Sequence, residues 1–143
     1  MCKIGDIIVV KEYIGDDGVK VGKHSFIVVS NRKGNIEGLD YDVVANALSS
    51  FKNEEHREKV LKRKENLEFN VTDASYTAEH NRKSGFVKVG CLVYFKEKNI
   101  DYFKIGSISV EMWEKLEDLL KELDALNRIK NNTNNLIEET QKS

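Results

Sequence analysis

Ser49, Ser50 and Lys52 stand within four positions of one another. Two hydroxyls and an ammonium presented together suit a phosphate, because hydrogen bonds to ionised phosphoryl oxygens are among the stronger polar contacts a protein makes. Upstream, Lys23 and His24 lead into the apolar block at 26–29. Imidazole titrates near neutrality and lysine carries charge, so either fits a proton-handling or charge-stabilising place beside the hydroxyls. The set matches cleavage of an RNA phosphodiester without a metal. That reaction needs a base for the 2′-hydroxyl, donors for the phosphoryl oxygens and a proton for the departing 5′-oxygen.

Single-stranded RNA is read largely by splayed bases stacked on aromatic and guanidinium planes. Phe51, Tyr76, His80 and Arg82 are the candidates for that task, and Arg32, Lys33, Arg57 and Lys83 are candidate phosphate contacts. Each has an ordinary alternative. Ser49 and Ser50 equally suit a turn or helix cap before Asn53, Phe51 suits the core, His24 suits an exposed loop and Lys52 suits a solvated surface.

Other chemistries lack their motifs. There is no P-loop, nucleophile elbow, zinc-protease HExxH or dinucleotide-binding glycine pattern, and His24, His56 and His80 have no metal-ligand spacing. No cofactor and no metal are therefore expected. Cys2 and Cys91 are far apart, outside any CxxC, and read as reduced structural thiols. No apolar run approaches the length of a membrane span, so a cytosolic protein without a membrane partner is expected.

The elements that must position these groups are legible as short β-strands. A chain of 143 residues fits one core. Residues 4–13 read as a first strand ended by a glycine turn at 15–18, residues 26–29 as a second, and residues 41–48 as a third that delivers Ser49. Residues 53–66 read as a helix with acids at its start and bases at its end. Residues 67–71 read as a short strand, 72–84 as a polar connection, 85–95 and 100–105 as further strands, the last two joined by a hairpin across 96–99. Ser109 is a predicted N-cap for a helix whose Met112, Leu116, Leu119, Leu120, Leu123 and Leu126 form one apolar stripe. The expected domain is 1–129, with 130–143 as a polar, flexible tail. The fold class is α+β, mainly β: a small SH3-like, partly open antiparallel barrel with a charged helix after the third strand and a C-terminal amphipathic helix.

Charge narrows where RNA would lie. Formal net charge is −1, which excludes a protein that coats nucleic acid through a global positive field. Residues 52–64 carry six bases against three acids, whereas 111–124 carry six acids against two lysines. An RNA-facing edge is expected on the first segment and not on the second, although a solvated helix face has the same pattern.

The order of blocks resembles the MazF/Kid (PemK) family of bacterial toxins. It consists of Ile-Gly-Asp-Ile-Ile at 4–8, a basic residue leading into Phe-Ile-Val-Val-Ser-Asn at 26–31, Gly-Phe-Val-Lys-Val-Gly-Cys-Leu-Val at 85–93 and Phe-Lys-Ile-Gly-Ser-Ile-Ser at 103–109. In that family an arginine opening the second strand and a Thr or Ser ending the third form the active site. Here His24 and Ser49 hold those places, and Ser25 stands at the family's following proline. Ser49-Ser50-Phe51-Lys52, with Lys23 or His24 upstream, is similar to the ToxN, AbiQ and CptN branch, whose inhibitor is a repeated RNA pseudoknot.

The resemblance implies a sequence-specific, metal-independent endoribonuclease toxin that leaves a 2′,3′-cyclic phosphate and a 5′-hydroxyl. Its partners would be substrate RNA and an RNA pseudoknot antitoxin, with any oligomer assembled through that antitoxin. Two alternatives stay open: a MazF-like toxin held by a small protein antitoxin, and a non-catalytic SH3-like binding module such as a CcdB-like protein poison. A barrel that binds RNA without turnover is a third.

Overall fold

The structure, a computed structural model, describes residues 2–32, 34–36, 38–76 and 84–136. Strand β1 (Asp6–Val10) is followed by a small hairpin of β2 (Tyr13–Ile14) and β3 (Lys20–Val21), then by β4 (His24–Ser30). A second hairpin, β5 (Gly34–Ile36) with β6 (Leu39–Tyr41), precedes β7 (Val43–Ser50). Helix α1 (Glu54–Leu61), β8 (Asn66–Phe69), β9 (Ala74–Tyr76), β10 (Gly85–Lys88), β11 (Cys91–Phe95), β12 (Tyr102–Ile108), helix α2 (Val110–Ala125) and β13 (Lys130–Asn132) follow in order.

The main sheet runs β13-β11-β7-β4-β1-β12-β9, and β8 joins it through β10, which pairs with β7. Every pairing in it is antiparallel except β11 with β13. The sheet curls into a half-barrel, so the predicted mainly-β architecture with a C-terminal-region helix is what forms.

Period-two alternation splits the strands between two cores. Phe26 and Val28 of β4 enter a cluster with Ile8, Val10, Ala45, Ala47 and Phe95, while Ile27 enters a second cluster with Ile7, Val9 and Val87. Helix α2 closes the second cluster with Met112, Leu116 and Leu123, all buried. Ser109 caps this helix as its sequence predicts, its hydroxyl accepting the Met112 N–H at 3.1 Å. Among the described residues no helix is long and apolar enough to cross a membrane.

The structure differs from the sequence reading at several places, among them 85–95, expected as one strand, which is two, β10 and β11, paired with different parts of β7. Residues 97–99 form a 3₁₀ turn, and β11 and β12 do not pair as a hairpin; β11 pairs with β7 and β12 with β1. Long-range polar contacts hold that turn instead. Asp42 accepts the Glu97 N–H at 2.7 Å, and the Glu97 carboxylate accepts the Cys2 N–H at 2.8 Å. Within the connection expected at 72–84, residues 74–76 are a strand that extends the sheet beside β12. Residues 130–132, expected as the start of a flexible tail, form β13, because β11 offers an open edge and Asn132, Asn134 and Asn135 bond the backbone of Ile14 and Gly15.

Candidate functional site

Antiparallel pairing of β4 with β7 sets Ser25 opposite Leu48 and Phe26 opposite Ala47, which brings His24 across from Ser49. Their side chains meet, Ser49 Oγ lying 3.3 Å from His24 Nε2. Lys23, His24, Ser49 and Ser50 line an open pocket of about 380 Å³ at the end of this strand pair. The four residues are brought together from two segments separated by 25 positions.

The His24 ring is packed between aromatic neighbours, with the Tyr13 ring centroid at 5.8 Å and that of Phe26 at 5.6 Å. Burial disfavours the imidazolium and lowers the His24 pKa below its usual value, and the positive charge of Lys88 lowers it further. His24 is therefore a neutral imidazole at neutral pH. Its Nε2 accepts from the serine hydroxyl in one tautomer and donates to it in the other.

Lys23 and His24 are alternatives in the sequence that the sheet separates. His24 faces the cluster containing Phe26, whereas the Lys23 ammonium lies 5.4 Å from the ring centroid of Phe103, which packs on the α2 side. Lys23 still borders the pocket from its rim.

Ser49 and Ser50 belong to β7 and do not cap α1. Asn53 caps it, its side chain accepting the His56 N–H at 2.7 Å. Ser50 is exposed and pairs with Gly85. Lys52 lies past the strand end, outside the pocket lining; it is exposed, and its backbone N–H donates to His56 Nδ1 at 3.0 Å.

The candidate RNA contacts disperse. Phe51 is half-buried and stacks on Phe86 at 5.6 Å between centroids, with the Arg57 guanidinium 5.8 Å from its ring. Arg57 in turn donates to the carboxylates of Glu54 and Glu68. Phe51 and Arg57 thus brace one another beside the site. Tyr76 lies on β9, separated from β7 by β4, β1 and β12, and packs against the α2-side core. Arg32 follows the far end of β4 from His24. Lys33, His80, Arg82 and Lys83 fall outside the described residues.

Tyr13, His56 and Lys88 stand near the site without having been singled out in the sequence. Lys88 owes its place to Asn46. The far edge of β7 pairs with β11 over residues 43–45 and with β10 over residues 48–50. Asn46 fills the gap, fully buried, and its Nδ2 donates to the carbonyls of Lys88 at 3.0 Å, Val89 at 3.3 Å and Cys91 at 2.8 Å. A buried amide so bonded fixes the turn from which Lys88 projects. An asparagine in the middle of an apolar strand was the available signal.

Chemically, the pocket offers a neutral imidazole in contact with the Ser49 hydroxyl, with Ser50 and Lys23 also in its lining. Among the described residues no three His, Cys, Asp or Glu side chains converge to hold a metal ion. The curled half-barrel is compatible with a MazF/PemK-like fold. In comparisons with known proteins, the chain matches no family model and no curated protein.

Proposed function

We propose that this protein is the toxin of a bacterial toxin-antitoxin system, a MazF/Kid (PemK)-like endoribonuclease that cuts single-stranded RNA without a metal. The observation that carries the reading is the 3.3 Å contact between His24 Nε2 and Ser49 Oγ in an open pocket shared with Lys23 and Ser50. The Ser49-Ser50-Phe51-Lys52 pattern further favours inhibition by a repeated RNA antitoxin over inhibition by a protein.

In the proposed reaction His24 takes the proton of the 2′-hydroxyl as the 2′-oxygen attacks phosphorus. Its depressed pKa keeps it in the basic form at neutral pH. Ser49 and Ser50 donate hydrogen bonds to the phosphoryl oxygens, whose charge rises in the transition state. The P–O5′ bond breaks, Lys23 supplies the proton to the departing oxygen, and the products are a 2′,3′-cyclic phosphate and a 5′-hydroxyl. Lys52 contributes positive charge from the strand end.

The test is incubation of purified protein with total RNA in the presence of a chelator. Discrete fragments bearing these termini are expected from the wild type, with a loss of at least a hundredfold in His24→Gln and in Ser49→Ala. Intact RNA, strict dependence on added divalent metal, or undiminished cleavage by both variants would overturn the reading.

A further inference from the structure

A groove of about 590 Å³ lies apart from the pocket at His24 and shares no lining residue with it. Ala47 and Val93 form part of its floor, which places it on the sheet face shared by Phe26 and His24. Helix α1 supplies Lys59 to one wall, the turn after it supplies Arg63, and β10 supplies Lys88.

Its charge is opposite to that of the whole chain. Five bases line it against Asp16 and Glu65, while the chain carries −1. Arg128 is paired with Glu65 at 2.9 Å, and Lys130 stands 4.0 Å from Asp16. Lys59 and Lys88 make no ion pair among the described residues, while the charge of Arg63 reaches Glu65. An excess of cations gathered in one concavity focuses a positive field there. Lys88 also links the groove to the neighbouring pocket, since its charge is felt by His24.

We infer that this groove binds the single-stranded RNA backbone next to the scissile phosphate, with Lys59, Arg63 and Lys88 each facing a phosphate. The inference rests on the nuclease reading for the position of the cut and adds a binding site for the flanking strand. The apolar floor and the ring of Tyr13 at the groove edge accept bases, and the lysines and arginine accept the chain that carries them.

The test uses a short 2′-O-methyl oligonucleotide, which lacks the attacking hydroxyl and reports binding alone. Its affinity is measured across salt concentrations for the wild type and for Lys59→Ala, Arg63→Ala and Lys88→Ala. Each loss should weaken binding about fivefold or more and flatten the salt dependence by about 0.7 in log–log slope, the increment for one single-strand phosphate contact. Lys59→Arg should restore both. Lys62→Ala removes an exposed cation from the end of the same helix without touching the groove, and it should bind as the wild type does.

Equal effects from Lys62→Ala and the groove variants would overturn the inference in favour of a diffuse field. Cleavage of RNA by a wild type whose groove variants keep its affinity and salt slope would overturn the groove and leave the nuclease standing. Groove-dependent binding without any cleavage would sustain the groove and overturn the nuclease. Absence of both binding and cleavage would overturn both.

Discussion

Gly85 faces Ser50 across the β10–β7 pair so closely that a Cβ added to Gly85 would lie 1.9 Å from the Ser49 carbonyl oxygen. No side chain fits that space. β10 can lie against the strand end that carries Ser49 only because residue 85 is glycine. Gly85→Ala should therefore push β10 away from β7, lowering stability by about 1–3 kcal/mol or more and reducing cleavage of RNA. At Gly22, next to the pocket residue Lys23, an added Cβ meets nothing within 4 Å, so Gly22→Ala is the matched control. Thermal melts and a cleavage assay on the two variants give the comparison, and equal Tm values would refute the steric account.

The pH dependence of His24 has a definite sign. Burial first and Lys88 second hold its folded pKa below the ordinary histidine value of about 6.5. The unfolded chain therefore binds the proton more readily, and stability falls as pH drops below about 6.5 toward the folded pKa. Acid should lower Tm in the wild type, and His24→Phe should reduce that slope. The proposed base function predicts a parallel loss of kcat/KM on the acid side, with its midpoint below that of a free histidine. A rate that rises on acidification through this range would contradict the assignment of His24 as base.

Ser50 and Asn53 separate a phosphate-binding role from a capping one. Asn53→Ala should cost about 1 kcal/mol, since it removes the cap of α1. Ser50→Ala, at an exposed strand-end position, should change stability by less than about 0.5 kcal/mol while diminishing cleavage. Urea unfolding and RNA cleavage measured side by side distinguish the two, and a Ser50→Ala variant with wild-type cleavage would remove Ser50 from the site.

The two thiols should differ in reactivity. Cys2 is 2 % exposed, and burial pushes its pKa up to about 11. Cys91 is half-buried, and burial raises its pKa as well. Because the thiolate is the reactive form, a disulfide-exchange reagent at pH 8 should label Cys2 only after denaturation and Cys91 slowly in the native protein. Rapid labelling of Cys2 in the folded state would refute its burial.

Local patterns in the chain were enough to place the main strands, the cap at Ser109 and the apolar stripe of α2, because alternation, turn residues and helical spacing act over neighbouring positions. The ends of β4 and β7 were also legible, and with them the neighbourhood of His24 and Ser49. Pairing was not. The supposed hairpin at 96–99 is held by Asp42 and Cys2, residues distant in sequence whose approach no local pattern encodes.

Sequence alone thus determined which groups stand at the strand ends, and tertiary structure decided which of them meet. Lys23 and His24 are adjacent, but β4 begins at His24, and its register on β7 sets that residue, not Lys23, beside Ser49. Phe51 and Arg57 looked available for RNA until helix α1 and β8 packed beside them. Lys88 looked like any surface lysine until Asn46 fixed its turn on the site's face. Residue type and strand position are local properties, whereas register, burial and the field of a groove arise only when distant segments close on one another.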